Sequence, residues 1–288
     1  MATNNTSNLT GLSVLLQNGS NGVRLMPPSS LGSTYALALP SAAATTAGQS
    51  LVADTSGNFS WGPLPIGSVK QQLFFNVGTV TYTPTARMAF AFVEVIAGGG
   101  GGGGAQTGSG ASAGGAGGGG GYAASMLNAS QIGTSQSVIV GGGGAGGAAG
   151  ANGGANGGAS SFGNLVAANG GVGGYTNGSL TAPFDGTVGS AGGAGTKGLV
   201  QSVGSPGSNA YVRGTSGSQY VWSGVGGASG NGRGSGATSQ AGTYSTGSSA
   251  GNNTGAGGNG GLTSGSNGAY GGGNGGSGYV LVTEYINA

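Results

Sequence analysis

The stretch Ala97-Gly98-Gly99-Gly100-Gly101-Gly102-Gly103-Gly104 carries no side chain larger than a methyl group. Similar runs recur at Gly117–Gly121 and Gly141–Gly144, and sixty-seven of the chain's 76 glycines lie between Gly98 and Gly278. Packed side chains cannot fold such a segment. Glycine loses more backbone freedom on folding than any other residue, about 0.5–1 kcal/mol relative to Ala in regular structure. Backbone hydrogen bonds between neighbouring segments are left to hold it.

A disordered tail or a flexible linker is the plain alternative. It fits poorly, because disordered chains are usually rich in charge, whereas this region has only Asp185, Lys197, Arg213 and Arg233. It also interleaves apolar islands at Ala123–Leu127, Val138–Val140 and Phe162–Val166. Collagen fails on period and on proline: glycine falls at 141, 144, 147, 150 and 153, but Asn156 breaks the phase, and only Pro183 and Pro206 lie in the region. The expected architecture is mainly β, with essentially no α-helix and a bundle of extended left-handed helices of about three residues per turn. Inside such a bundle every face of a helix meets another backbone, so only Gly fits there, and Ala, Ser and Asn belong at the rim.

Composition narrows the chemistry. The chain has no histidine and no cysteine, and its acidic residues are Asp54, Glu94, Asp185 and Glu284. A Ser–His or Cys–His nucleophile is excluded, as is a zinc site built on His or Cys. Glu94 and Glu284 fall in strand-like runs and the two aspartates stand alone in turns, so an acid–base carboxylate pair is not expected. No enzyme activity, metal or cofactor is expected. Matches to G-x-G-x-x-G arise from composition alone, with no convincing helix after any of them. A net charge of +2 from six basic residues is too weak for a nucleic-acid footprint. The isolated Arg213–Gly214 and Gly232–Arg233–Gly234 resemble fragments of RGG segments but are read as surface solubilisers or contact residues. Met1–Thr10 is polar and lacks an apolar signal core, which implies synthesis in a cytosol without a cleaved signal. Triplets such as Asn128–Ser130 then follow from Asn and Ser content rather than glycosylation.

Glycine density changes abruptly near residue 97. Before it the chain reads as short strands and turns. Leu12–Leu16 and Gly22–Met26 flank the turn signals Asn18–Gly19 and Asn21–Gly22, and Tyr35, Leu37 and Leu39 alternate as one face of a strand. The run Gly48–Asp54 leads through Ser56-Gly57-Asn58 to a strand at Phe59–Trp61. So little apolar mass is marginal alone, which points to association with copies of itself or with a partner. At the other end, Val93 and Val95 match Val280 and Val282 in alternation, so their pairing would bring the start and end of the glycine region together. Phe74, Phe90, Phe92, Leu127, Ile139, Phe162, Leu165, Leu281 and Ile286 are candidates for the apolar core of that base.

The pieces Tyr35–Pro40 and Gly48–Trp61 resemble a module recurrent in bacteriophage fibre and tail-associated proteins. Phe75–Pro84, Met88–Ile96 and the Gly98 run are similar to the opening of the glycine-rich domain at the end of many phage tail fibres. Gly271–Gly278 followed by Tyr279–Ile286 resembles its closing signature. The resemblance implies a polyglycine II sandwich whose far loops touch the host surface. It divides the chain into residues 1–67, which dock on the virion or trimerise, and residues 68–288. The latter comprise a β base at 68–97 and 279–288 and a bundle at 98–278, with receptor loops within 175–250.

The candidate receptor-binding residues are those that break the glycine pattern: Tyr175, Phe184, Asp185, Tyr211, Arg213, Tyr220, Trp222, Arg233 and Tyr244. Tyr, Trp and Arg are the types enriched at binding hot spots, although capping of the bundle would also use aromatics. The expectation is a virion adhesin, in a homotrimer, that binds a bacterial glycan or outer-membrane protein and attaches to other virion proteins through residues 1–67. The competing readings are a purely structural head fibre or decoration protein and, more remotely, an ice-binding protein.

Overall fold

The computed structural model describes residues 14–18, 21–25, 38–45, 49–63, 66–108, 110–176, 186–215, 218–232, 241–242, 244–264 and 267–287. They divide into two compact units, Met1–Leu64 and Pro65–Ala288. Tyr35, Leu37, Phe184, Asp185 and Arg233 lie outside the described residues. Only one helical turn, Ala129–Ile132, occurs among them. It is closed by a capping box: Asn128 Oδ1 accepts from the Gln131 N–H and Gln131 Oε1 accepts from the Asn128 N–H, each at 2.9 Å.

In the first unit, Val14–Asn18 pairs with Asn21–Leu25, and Gln49–Ala53 pairs with Phe59–Pro63. Asp54 sets the second turn, its Oδ1 accepting from the N–H groups of Ser56 and Asn58 while Gly57 takes φ 85°. The Ala38 backbone bonds to Gly57 and Phe59, and the Trp61 indole N–H donates to the Ala42 carbonyl at 2.8 Å. Leu39, Leu51, Val52 and Trp61 all remain exposed.

The second unit starts from two five-stranded antiparallel sheets. One runs in the order Val200–Ser202, Tyr122–Asn128, Met88–Ile96, Tyr279–Ile286, Ser68–Phe74. The other runs Gly195–Lys197, Val166–Ala168, Ser160–Phe162, Gln136–Val140, Gly78–Tyr82. Val93 lies opposite Val282 and Val95 opposite Val280, so the strand before the glycine region pairs with the strand after it. Their inner face, with Ala91, packs on Tyr82, Val138, Val140, Phe162 and Val166 of the other sheet. Phe74 and Leu165 pack at the margin and Leu127 is buried.

Of the remaining expected core residues, Phe90, Phe92, Ile139 and Leu281 face outward. A strand has a period of two, so a face that buries Val93 and Val95 must turn Phe90 and Phe92 the other way. Leu281 is displaced by the same alternation. Ile139, between buried Val138 and Val140, is exposed. Ile286 follows a register shift and is only half-buried.

Glu284, on the inner face, ties the sheets together. Its Oε1 accepts from the Tyr82 hydroxyl at 2.6 Å, the Thr85 N–H at 3.0 Å and the Gln72 amide at 3.1 Å; its Oε2 accepts from the Thr85 hydroxyl at 2.6 Å. That threonine hydroxyl also accepts from Lys70 Nζ at 3.0 Å. Burial pushes the Glu284 carboxyl up, but the bonds from Thr85, Tyr82 and Gln72 outweigh it and hold the group below its ordinary value. The Tyr82 hydroxyl is pushed up by burial and then by the adjacent carboxylate.

Beyond the sheets the glycine segments bond to one another in a repeat of three. Gly98, Gly101 and Gly104 donate to Gly158, Ala155 and Asn152; Gly99, Gly102 and Ala105 donate to Gly276, Gly273 and Tyr270; Ala97, Gly100 and Gly103 donate to Gly121, Gly118 and Gly115. The carbonyls of Gly98 and Gly101 accept from Gly171 and Gly174, those of Gly99 and Gly102 from Gly144 and Gly147, and those of Gly100 and Gly103 from Gly258 and Gly261. Six segments therefore surround the run Gly98–Gly104. Gly114–Gly121 is enclosed in the same way. A Cβ added at Gly101 would sit 2.1 Å from the Ala145 carbonyl oxygen, and one at Gly102 would sit 1.9 Å from that of Asn259.

Asn is not confined to the rim. Asn259 is fully buried, because its Oδ1 replaces a backbone carbonyl as acceptor for the Gly226 N–H at 2.9 Å. At the rim, the exposed side chains of Asn156, Asn209 and Asn274 accept in the same way from Gly173, Gly189 and Gly146. Ala116 and Ala256 are also buried.

Two predictions follow from this packing. Gly101→Ala should cost about 4 kcal/mol or more or prevent folding, whereas Gly251→Ala, whose added methyl meets nothing closer than Thr254 Cγ2 at 3.4 Å, should be neutral or slightly stabilising in thermal melts. Because its folded-state pKa is depressed, Glu284 contributes stability above its ordinary value of 4.5 that is lost as pH falls through the lower folded value. Glu284→Gln should lower stability at neutral pH by about 2 kcal/mol and flatten this acid limb in denaturant titrations.

Candidate functional site

The far end of the glycine segments is closed by two small sheets. One has the order Gly186–Thr187, Ala210–Thr215, Ser218–Trp222, Ala241–Gly242; the other has Tyr244–Ser245, Leu262–Thr263, Ser112–Ala113. A second core of Ala111, Ala113, Ala210, Val212, Val221 and Leu262 joins them. Val212 lies opposite Val221, so the alternate positions of both strands must face away.

Those alternate positions are Tyr211, Arg213, Tyr220 and Trp222. Tyr211 lies opposite Trp222 and Arg213 opposite Tyr220, which places all four on one outward face. Tyr220 is 68% exposed and Tyr211 53%, while Trp222 is half-buried. The Tyr220 and Trp222 rings stack with centroids 6.2 Å apart. The rings offer flat apolar surface with a polar tip, and Arg213 adds a cationic side chain to the same face. Such a face suits sugar rings or an apolar protein surface edged by acceptors.

The other candidates do not join this face as one cluster. Phe184 and Asp185 fall outside the described residues, although the strand Gly186–Thr187 that follows them pairs with Tyr211 and Ala210. Arg233 is likewise not described. Tyr175 is exposed at the end of a glycine segment, where its carbonyl accepts from the Gly115 N–H. Tyr244 belongs to the second small sheet and stacks on Tyr270 at 5.5 Å. Tyr270 stands inside Gly268-Ala-Tyr-Gly271, beyond the 175–250 segment that holds the candidates; an aromatic interrupting a glycine run is its signal in the sequence. The segment 175–250 expected to hold the receptor loops is divided, since Gly195–Lys197 and Val200–Ser202 belong to the two large sheets and Lys197 bonds to Asn164 there.

The two glutamates do not form a pair. Glu284 lies opposite Ala91 on the inner face of its sheet, and Glu94 lies opposite Leu281 on the outer face. Glu94 accepts from the Tyr122 hydroxyl at 3.0 Å. Burial and then this carboxylate push that hydroxyl up to about 12. Asn128, in one of the N-x-[ST] triplets, is engaged as a helix cap.

A family model described as a glycine-rich domain matches residues 75–285. The curated proteins contain no match to the chain. The division between inner and outer positions makes a testable distinction: the double change Tyr220→Ala and Trp222→Ala should lower stability by no more than about 1.5 kcal/mol. Val221→Asp, one residue between them but pointing into the second core, should cost more than about 3 kcal/mol in denaturant unfolding.

Proposed function

We propose, for a chain that belongs to the glycine-rich domain family, the role of a bacteriophage virion adhesin that binds a bacterial surface receptor without catalysing a reaction. The observation that carries this reading is the outward face on which Tyr211, Arg213, Tyr220 and Trp222 converge. Beneath it, the glycine segments act as a bundle of polyglycine II helices. The return of each donor to the same neighbour after three residues supports that assignment, since such helices turn once in about three residues.

In this reading the bundle is a stiff spacer with few distinctive side chains. Recognition falls to the aromatic face at its far end, and the two large sheets, which add strands from within 98–278 to those at 68–97 and 279–288, hold its root. The first unit supplies the attachment to other virion proteins and to further copies in a trimer, for which exposed Leu39, Leu51, Val52 and Trp61 provide apolar contact. The protein is made in the host cytoplasm and assembled onto the particle. Repeated copies would raise the effective concentration of a weak single site into firm attachment.

Virions carrying Tyr220→Ala with Trp222→Ala should assemble normally and lose about tenfold or more in adsorption rate to host cells. Unchanged adsorption would remove the receptor assignment and leave the structural virion role, which immunogold localisation of the protein on the particle would then place.

A further inference from the structure

We infer that the flank of the second unit carries a separate binding groove for a neutral oligosaccharide, independent of the far aromatic face. The connection between Ser68–Phe74 and Gly78–Tyr82 carries Phe75 and Val77 to the surface, 49% and 61% exposed. Phe75 lines two adjoining open hollows, one of about 450 Å³ and one of about 650 Å³. The smaller runs along the outer face of the sheet past Leu73, Leu281, Tyr279 and Glu94. The larger runs onto the glycine segments past Asn76, Asn252, Asn253 and Asn274. Asn253 lines both, so the two form one groove with Phe75 between its halves. Each volume is in the usual range for a small-ligand site, and their openness suits a chain laid across the surface.

The polar groups are already oriented. Asn253 Oδ1 accepts from the Ser277 hydroxyl at 3.0 Å, and the same hydroxyl accepts from the Asn253 N–H at 3.0 Å. Asn274 Oδ1 accepts from the Gly146 N–H at 2.8 Å. Both carboxamides therefore direct their NH₂ groups elsewhere. The Tyr122 hydroxyl engages Glu94 Oε1, leaving Oε2 as an acceptor. Asn253 holds φ 58°, the left-handed turn conformation that Asn tolerates.

This combination selects its occupant. Sugar hydroxyls need donors and acceptors side by side, and a pyranose ring needs an exposed apolar face such as Phe75. Among the described residues Glu94 is the only charged one lining either hollow, so an acidic glycan or a phosphate would meet a like charge there. A protein partner would call for a dry apolar centre, and the larger half of this groove includes Asn76, Asn252, Asn253 and Asn274 in its lining.

Saturation-transfer NMR on the full chain with maltotriose, cellotriose and tri-N-acetylchitotriose tests the groove, with trigalacturonate as the acidic comparison. At least one neutral trisaccharide should bind, trigalacturonate should not, and Phe75→Ala should weaken the neutral ligand by about tenfold or more. Asn253→Gly removes the carboxamide while keeping a backbone that glycine adopts freely, so it should weaken binding with no loss in thermal stability. If Phe75→Ala fails to fold, Asn253→Gly alone decides. Tyr220→Ala with Trp222→Ala should leave this binding unchanged. Absence of binding by all three neutral sugars, preference for trigalacturonate, survival of binding in the groove variants that fold, or its loss in the Tyr220 and Trp222 variant would each overturn the inference.

Discussion

The backbone hydrogen bond between glycine segments, made at a separation that leaves no room for a Cβ, is the interaction on which the second unit depends. Around Gly98–Gly104 it is made toward six neighbouring segments, donors and acceptors alternating through a repeat of three. Net of the competition with water, such a bond contributes about 0.5–1.5 kcal/mol, and ordering one backbone residue costs about 1–2 kcal/mol. These quantities nearly cancel. The segments therefore cannot be expected to assemble without something that holds their ends.

The sheets and the small cap do that. The strand Met88–Ile96 delivers the chain into the glycine region and Tyr279–Ile286 receives it back, paired over nearly their full length. Other base strands collect the segments between them, and buried Val, Phe and Tyr side chains supply the apolar burial that the glycines lack. Glu284 gives the base a polar tie as well as an apolar one. At the opposite end a core of six small and medium residues fixes two short sheets, and in doing so settles which side chains look outward.

The candidate site was partly legible in the sequence. Tyr211, Arg213, Tyr220 and Trp222 stand out because large side chains interrupt a glycine background, and their alternate spacing with Val212 and Val221 is visible in the chain. Their union on one face was not, since it depends on the register Tyr211 to Trp222. Tyr270 pairs with Tyr244 only through contacts across the cap, and Asn253 and Phe75 line one groove only because a turn of the glycine region passes the base. Asn259 shows a further limit: composition assigns Asn to the rim, while the interior accepts it wherever a carboxamide oxygen can stand in for a backbone acceptor.

By itself the sequence determined that backbone contacts must replace side-chain packing along glycine runs such as Gly98–Gly104 and Gly117–Gly121, that strands bracket the glycine region, and that the chain holds no His or Cys for chemistry. These are consequences of which atoms the chain has. The tertiary structure decided the facing of each strand, choosing Ala91, Val93 and Val95 over Phe90 and Phe92 for burial, because a two-residue period leaves both faces apolar and only the partner sheet selects one. It also decided which segment surrounds which. A glycine run carries no side-chain label to specify its neighbours, so that choice rests with the sheets and caps at its ends.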